Sequence, residues 1–339
     1  MLRLGIVGCG KVTTMFHLKA IEEVDEVTVT AVADLNERRV EEVKRKAGAE
    51  RGYTDYRELL SDPDVETVAV NTPPRFHEEM VVESLGAGKH VLCEKPLARS
   101  VEGCVHIKDA QEASGLIVLP VHNYAFTPCL DKALDVIGNG EIGEVKRIEL
   151  RFDNNLWSYG PKTDYRLEGM FGIVEDLLPH VLSVAHALGA TSNEVERARG
   201  WKKSYKVVDN LSILGTGGGV ELDFSMNWTS LIPAFKVDVL GDSGRIQMDL
   251  MKRPFRIVVE SPRGRRSIDK EGLMKYIDIV RLKHPAFVGQ YRHLHNLVEG
   301  SEPARFTIDD EIGMLRIMGE VERLLSETDI SQASVISSE

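Results

Sequence analysis

Leu2-Arg3-Leu4-Gly5-Ile6-Val7-Gly8-Cys9-Gly10-Lys11-Val12-Thr13 runs from an apolar, β-branched stretch straight into a glycine pair. Leu2 to Val7 reads as a buried strand, and Val12 to Glu23 has the pattern of the helix that follows it. A strand, a glycine turn and a helix in that order form the context in which a glycine motif carries information. Gly8 permits the tight turn, Gly10 lets main chain approach a pyrophosphate, and the helix start, Lys11 and Val12, offers unpaired N–H groups and a favourable dipole. The third motif position holds Thr13 instead of glycine or alanine, which predicts looser packing of helix on strand.

Working outward, Val27 to Ala33 is a second strand and Glu37 to Ala47 a charged, solvated helix. Thr67 to Asn71 and His90 to Cys93 are further strands, separated by a helix from Phe76 to Ala87. Val101 to Ser114 is helical and Leu116 to Val121 extended. Strands alternating with helices of this length predict βαβ units in a doubly wound parallel sheet of α/β class. After residue 123 the pattern changes. One helix, Cys129 to Ile137, precedes strands at 145–153, 207–215, 219–228, 234–240, 244–249 and 255–260, with turn signals between several of them. These predict a second, α+β domain with a large, open, mainly antiparallel sheet. Helices near 286–299 and 308–326 close the sequence. The division is therefore a dinucleotide-binding domain over 1–123 and a substrate-binding and oligomerisation domain over 124–339, whose last helices can pack back on the first.

Composition narrows the function classes. Of 339 residues, 42% are hydrophobic and 28% charged, enough apolar material for a core without disulfide staples. A net charge of -11 argues against nucleic-acid partners and anionic membranes. Cys9, Cys93, Cys104 and Cys129 make no CxxC pair and no zinc-like spacing, so they read as free thiols and no metal is expected. With no signal-like leader and no run of about 20 apolar residues, the expected location is the cytoplasm.

Asp34 ends the second strand, 24 positions beyond Gly10, where a carboxylate bonds the ribose hydroxyl of NAD and repels the 2′-phosphate of NADP. Arg38 and Arg39 follow closely; either can pair with a phosphate, which leaves NADP open, or lie on a solvated face. Asn71-Thr72-Pro73 sits at the end of another strand, where small polar residues can face a cofactor or simply turn the chain. Lys95, in Cys93-Glu94-Lys95-Pro96, ends the next strand, at the sheet edge where ligands bind. Asp176 and His180 stand at i and i+4 on one helix face, although Pro179 between them can disturb that helix.

In the order and spacing of Gly8-Cys9-Gly10, Asp34, Asn71-Thr72-Pro73 with His77, Glu94-Lys95-Pro96, Gly140-Glu141-Ile142-Gly143-Glu144, and Asp176 with His180, the chain resembles the Gfo/Idh/MocA family, named for glucose–fructose oxidoreductase and inositol dehydrogenase. The resemblance implies that Lys95, Asp176 and His180 form a catalytic group beside a nicotinamide, and it adds His77, Glu94 and Lys95 to the cofactor-binding residues. It also implies hydride transfer between NAD(P) and a hydroxyl of a sugar, cyclitol or related small molecule. Three positions depart from the family pattern: Met170-Phe171-Gly172 replaces a glycine-rich run, Ala125 an arginine, and Ser183 a second aspartate.

Tyr124, Asn155, Trp157, Tyr165 and Arg166 are the candidate substrate contacts, by hydrogen bonding and stacking on a polyol, with a surface loop as the competing reading. His293 and His295 do not make a metal pair. Arg263-Gly264-Arg265-Arg266 is expected to cap a solvated hairpin, and Met314 and Met318 to lie on a core stripe. Two other functions fit the same residues. One is an NAD-dependent lyase, glycosidase or epimerase that oxidises its substrate transiently. The other is a nucleotide-binding regulator without catalysis. A broad open sheet face predicts a homodimer or homotetramer.

Overall fold

A computed structural model describes residues 1–159, 167, 169–191, 193–269 and 271–327. The first stretch contains β1 (Leu2–Val7), a π turn (Thr13–His17) that runs into α1 (Leu18–Ile21), β2 (Val27–Ala33), α2 (Glu37–Ala47), β3 (Arg51–Tyr53), α3 (Tyr56–Leu60), β4 (Thr67–Val70), α4 (His77–Gly86), β5 (His90–Cys93), α5 (Val101–Ser114) and β6 (Val118–Pro120). All six strands are parallel, in the order β3-β2-β1-β4-β5-β6. The order reverses between β1 and β4, which makes their carboxyl ends the switch point where such sheets bind ligands. Local chemistry sets the boundaries. The Asn36 side chain accepts from the N–H groups of Arg38 and Arg39 and starts α2, which buries only Val40 and Val43. Ser100 caps α5 through Gly103.

The second stretch contains α6 (Pro128–Gly138), β7 (Val145–Asn155), α7 (Gly172–Ala187), β8 (Glu194–Trp201), β9 (Asn210–Gly217), β10 (Val220–Asn227), β11 (Thr229–Gly241), β12 (Arg245–Asp249), β13 (Ile257–Ser261) and β14 (Gly264–Ile268). They form an eight-stranded sheet in the order β14-β13-β12-β11-β7-β10-β9-β8. It is mainly antiparallel, but β7 and β10 run parallel. Parallel neighbours need a long crossover, supplied here by α7, β8 and β9. Nor do β10 and β11 pair with each other, although a single residue separates them. They flank β7, so the chain crosses the end of β7 at Trp228. β13 and β14 form a hairpin that turns at Pro262-Arg263, and the stretch Arg263-Gly264-Arg265-Arg266 is exposed at its tip as expected, with Arg265 and Arg266 opening β14 and pairing with Glu260 and Glu141.

Three helices follow: α8 (Leu273–Val280), α9 (Pro285–Val298) and α10 (Ile308–Glu327). The chain forms two compact units, Met1–Phe126 with Leu273–Ile312, and Thr127–Gly272 with Gly313–Glu339. In the first, α9 contributes Val288, Tyr291, Leu294 and Leu297 to the core around Leu4, Ile6, Leu92 and Leu119. That spacing is one apolar helical stripe. In the second, α7 is buried over most of its circumference, Pro179 included. Such packing outweighs the hydrogen bond that the proline removes, and the helix runs through it unbroken. Met314 and Met318 are buried, as expected of a core stripe.

On the outer face of β7, Arg147 pairs with Glu149 at 2.9 Å and with Asp223 of β10 at 2.5 Å. That face is half-exposed and polar. Among the described residues no helix is long and apolar enough to cross a membrane, and no group of three or more metal-ligating side chains stands together.

Candidate active site

The first unit holds the glycine loop. Gly8 has φ +98°, and a Cβ there would meet the Asn71 carbonyl oxygen at 2.6 Å, so the close approach of the β1 and β4 ends requires glycine. At Gly10 a Cβ would meet nothing within 4 Å, and the loop opens there onto free space. Thr13, the departure at the third motif position, is fully buried. Its hydroxyl donates to the Gly8 carbonyl at 2.6 Å and accepts from Asn71 Nδ2 at 3.2 Å. The threonine therefore ties loop, helix and β4 together by hydrogen bonds, which corrects the expectation of looser packing. Lys11 is exposed and Val12 half-buried at the start of this helix.

Asp34 is half-buried at the end of β2. Its carboxylate accepts from the N–H groups of Cys9 at 2.8 Å and Asn36 at 2.9 Å, which fixes it beside the loop. A carboxylate has about four acceptor positions, so ribose hydroxyls can still bind. Leu35, next in the chain, is 90% exposed and presents apolar surface there. Burial, and then the charge of Asp34, push the Cys9 thiol up to about 12, and Arg39 opposes the shift. Arg39 is thus close enough to be felt at the loop. An open glycine loop, first-turn N–H groups and a fixed carboxylate fit a dinucleotide.

Thr72 and Pro73 lead from β4 into a 3-10 turn at Pro74–Phe76. The fully buried His77 ring has one nitrogen 2.7 Å from the Thr72 carbonyl oxygen and the other 2.7 Å from that of Pro96. It therefore links the loop after β4 to the loop after β5. Lys95 is half-buried at the carboxyl end of β5, and the Lys95–Pro96 peptide is cis. Glu94 accepts from the Lys95 N–H at 3.1 Å, and its other oxygen lies 2.9 Å from His17 Nε2. His17 Nδ1 lies 2.8 Å from the Tyr291 hydroxyl. Burial alone would raise the Glu94 carboxyl, but His17 and the Lys95 charge and N–H hold it below its ordinary value. Tyr124, half-buried on a 3-10 turn, meets the edge of the His284 ring at 6.0 Å.

The second unit holds Asp176 and His180 on α7. Asp176 is buried and accepts from the indole N–H of the fully buried Trp228 at 3.0 Å. His180, one turn later, meets the Phe152 ring edge-on at 5.8 Å, and Phe152 stacks on Phe235 at 4.4 Å. The Ser183 hydroxyl, where the family pattern has an aspartate, donates to the His180 carbonyl. Asn155 accepts from the N–H of Trp157, whose ring is 69% exposed. Along β7 the buried row is Ile148, Leu150, Phe152 and Asn154. Alternation therefore puts Asn154 on the face of Phe152, and Asn155 on the other. Tyr165 and Arg166 lie outside the described residues.

Sequence reasoning missed His17, Tyr291 and Trp228. His17 and Tyr291 are 274 positions apart, and no local pattern marks either. Trp228 is the last residue of the strand read at 219–228, and nothing local marks its carboxylate partner.

The GFO_IDH_MocA pattern, an oxidoreductase family with an NAD-binding Rossmann fold, matches residues 2–122. Over that stretch the chain is similar to this family. Myo-inositol 2-dehydrogenase of Thermotoga maritima is 31% identical over 57% of this chain and 57% of its own length. Trans-1,2-dihydrobenzene-1,2-diol dehydrogenase of Mus musculus is 28% identical over 77% of this chain and 79% of its own. The match spans about half the length of the first curated relatives. An oxidoreductase of Agrobacterium radiobacter, solved with NAD+, L-tartaric acid and magnesium, superposes with a TM-score of 0.82 at 21% identity, covering 97% of this chain and 98% of that one. That likeness extends the shared fold over both units.

Proposed function

We propose that the chain is an NAD-dependent dehydrogenase, with NADP as the alternative cofactor, acting on a CH–OH group of a sugar, cyclitol or related small molecule. The observation that carries the reading is Lys95 at the carboxyl end of β5, beside the switch point that also holds the glycine loop and Asp34. The names of the sugar and cyclitol relatives support the substrate class. Residues 1–123 supply the cofactor half of the reaction and 124–339 the substrate half.

Bound NAD would supply the hydride acceptor. The remaining chemistry falls to side chains. His180, an imidazole whose ordinary pKa is about 6.5, takes the hydroxyl proton as the C–H bond breaks. Lys95 donates to the reacting oxygen and stabilises the charge that develops there. Asp176 orients the imidazole or a neighbouring substrate hydroxyl. Proton transfer of this kind contributes roughly 10² to 10⁴ in rate. The assembly is a homodimer or homotetramer through the outer face of the eight-stranded sheet, in the cytoplasm, where four free cysteines suit a reducing compartment.

A screen at the reduced-nicotinamide absorbance band, against sugars, inositols and sugar acids with NAD and NADP each supplied, tests the reading. Turnover with at least one hydroxyl compound is the expected result. Cofactor binding without reduction by any of them would overturn it, and cofactor recycling without net NADH would redirect it to redox-assisted elimination.

A further inference from the structure

Trp228 occupies an unusual place in the sheet. It is the single residue between β10 and β11, where the chain steps across the end of β7. Its main chain is pinned on both sides: the N–H donates to the Asp209 carbonyl at 3.0 Å, and the carbonyl accepts from the Leu156 N–H at 3.2 Å. The Tyr205 ring meets the indole edge-on at 6.5 Å. Tyr205 is itself held, because the fully buried Asp209 carboxylate accepts from the N–H groups of Lys203 at 2.7 Å and Tyr205 at 2.8 Å. The indole thus has little freedom to turn, and its one donor points at Asp176 Oδ2.

A buried indole N–H needs one acceptor, and a main-chain carbonyl would serve. Here the acceptor is a carboxyl group that is itself buried, and in its ionised form the bond is of the stronger, charge-assisted kind. It fixes one oxygen of Asp176 and thereby the plane of the carboxylate, one helical turn from His180. We propose that Trp228 is a positioning residue for the reaction, holding Asp176 in the orientation in which it acts on the imidazole or the substrate. This rests on the reading of Asp176 as part of the catalytic group.

Two measurements on the full chain test it. In a spectrum of the tryptophan indole N–H groups, Trp228→Phe identifies the Trp228 signal by its loss. Asp176→Asn should then move that signal while leaving those of Trp157 and Trp201 in place; an unmoved signal overturns the inference even if Trp228→Phe folds poorly. The second measurement is a double-mutant cycle on the hydroxyl compound that turns over fastest in the screen. Trp228→Phe should lower kcat about ten- to a hundredfold, with KM and the NADH Kd within about twofold, and add little in the Asp176→Asn background. An equal loss in both backgrounds, or a loss confined to KM, overturns the inference and leaves Asp176 catalytic. Full turnover by Asp176→Asn removes Asp176 from the catalytic group and the inference with it.

Discussion

His17 Nε2 lies 2.9 Å from the Glu94 carboxylate. Glu94 adjoins Lys95, and His17 ends the π turn after the glycine loop, so this contact joins the loop helix to the end of β5. The His17 side chain is 1% exposed and that of Glu94 14%. Breaking such a pair leaves a charge buried without its partner.

His17→Leu is therefore expected to lower unfolding free energy by about 3 kcal/mol near neutral pH. The pH dependence has a definite sign. Glu94 is held below its ordinary value in the folded chain, so its contribution is fully present above the unfolded carboxylate range, about 4.3. It is lost as the pH falls through the lower, folded value. In the variant, burial without the histidine raises the folded pKa instead, which penalises the ionised form. Denaturant melts should show the gap between the two proteins widest near neutrality and narrowing toward pH 4; a gap independent of pH would contradict this.

Asp34 bears on cofactor choice. Its carboxylate is fixed by Cys9 and Asn36, with Arg39 near enough to act on the Cys9 thiol. Asp34→Ser should weaken NADH binding about tenfold, the loss of one to two hydrogen bonds to ribose. With the repelling charge gone and Arg39 in place, NADPH should gain. Calorimetric titration with both cofactors measures the ratio. An unchanged NADH to NADPH preference would take Asp34 out of the cofactor site.

The cysteines make a chemical prediction. All four are buried, and burial pushes the thiols of Cys9 and Cys104 up to about 12 and raises those of Cys93 and Cys129 well above the ordinary thiol value. Thiolate is the reactive form, so a disulfide reagent at pH 8 should label the native chain very slowly and all four sites after unfolding. Rapid native labelling would contradict the burial of the four thiols in the glycine loop, β5, α5 and α6.

Much of the first unit is legible in the sequence because its signals are local. The run Leu2–Val7, the glycine pair and the charged helix after Asp34 each declare themselves within ten residues. Arg51–Tyr53 does not, because a three-residue edge strand without apolar alternation carries no period to read. The strand Glu194–Trp201 escapes for a related reason: charged residues interrupt its pattern on an outer edge. Sheet order is harder still. Asn227-Trp228-Thr229 looks like a tight link between paired strands, yet β7 lies between them, and the pairing partner is about 75 residues upstream. Lys95, Asp176 and His180 stood out by residue type and family pattern. The groups that hold their neighbourhoods, His17, Tyr291 and Trp228, act through tertiary contacts that no window of sequence contains. Which of Asn154 and Asn155 shares the face of Phe152 is not legible either, since only the register of β7 separates the two faces.

The most direct test of the account compares turnover and cofactor binding in Lys95→Ala and His180→Ala, using the hydroxyl compound found in the absorbance screen. Both variants should lose about two to four orders of magnitude in the hydride-transfer step, with NADH affinity within about threefold of the unaltered chain. Wild-type turnover in both variants would contradict the assignment of the chemistry to these side chains.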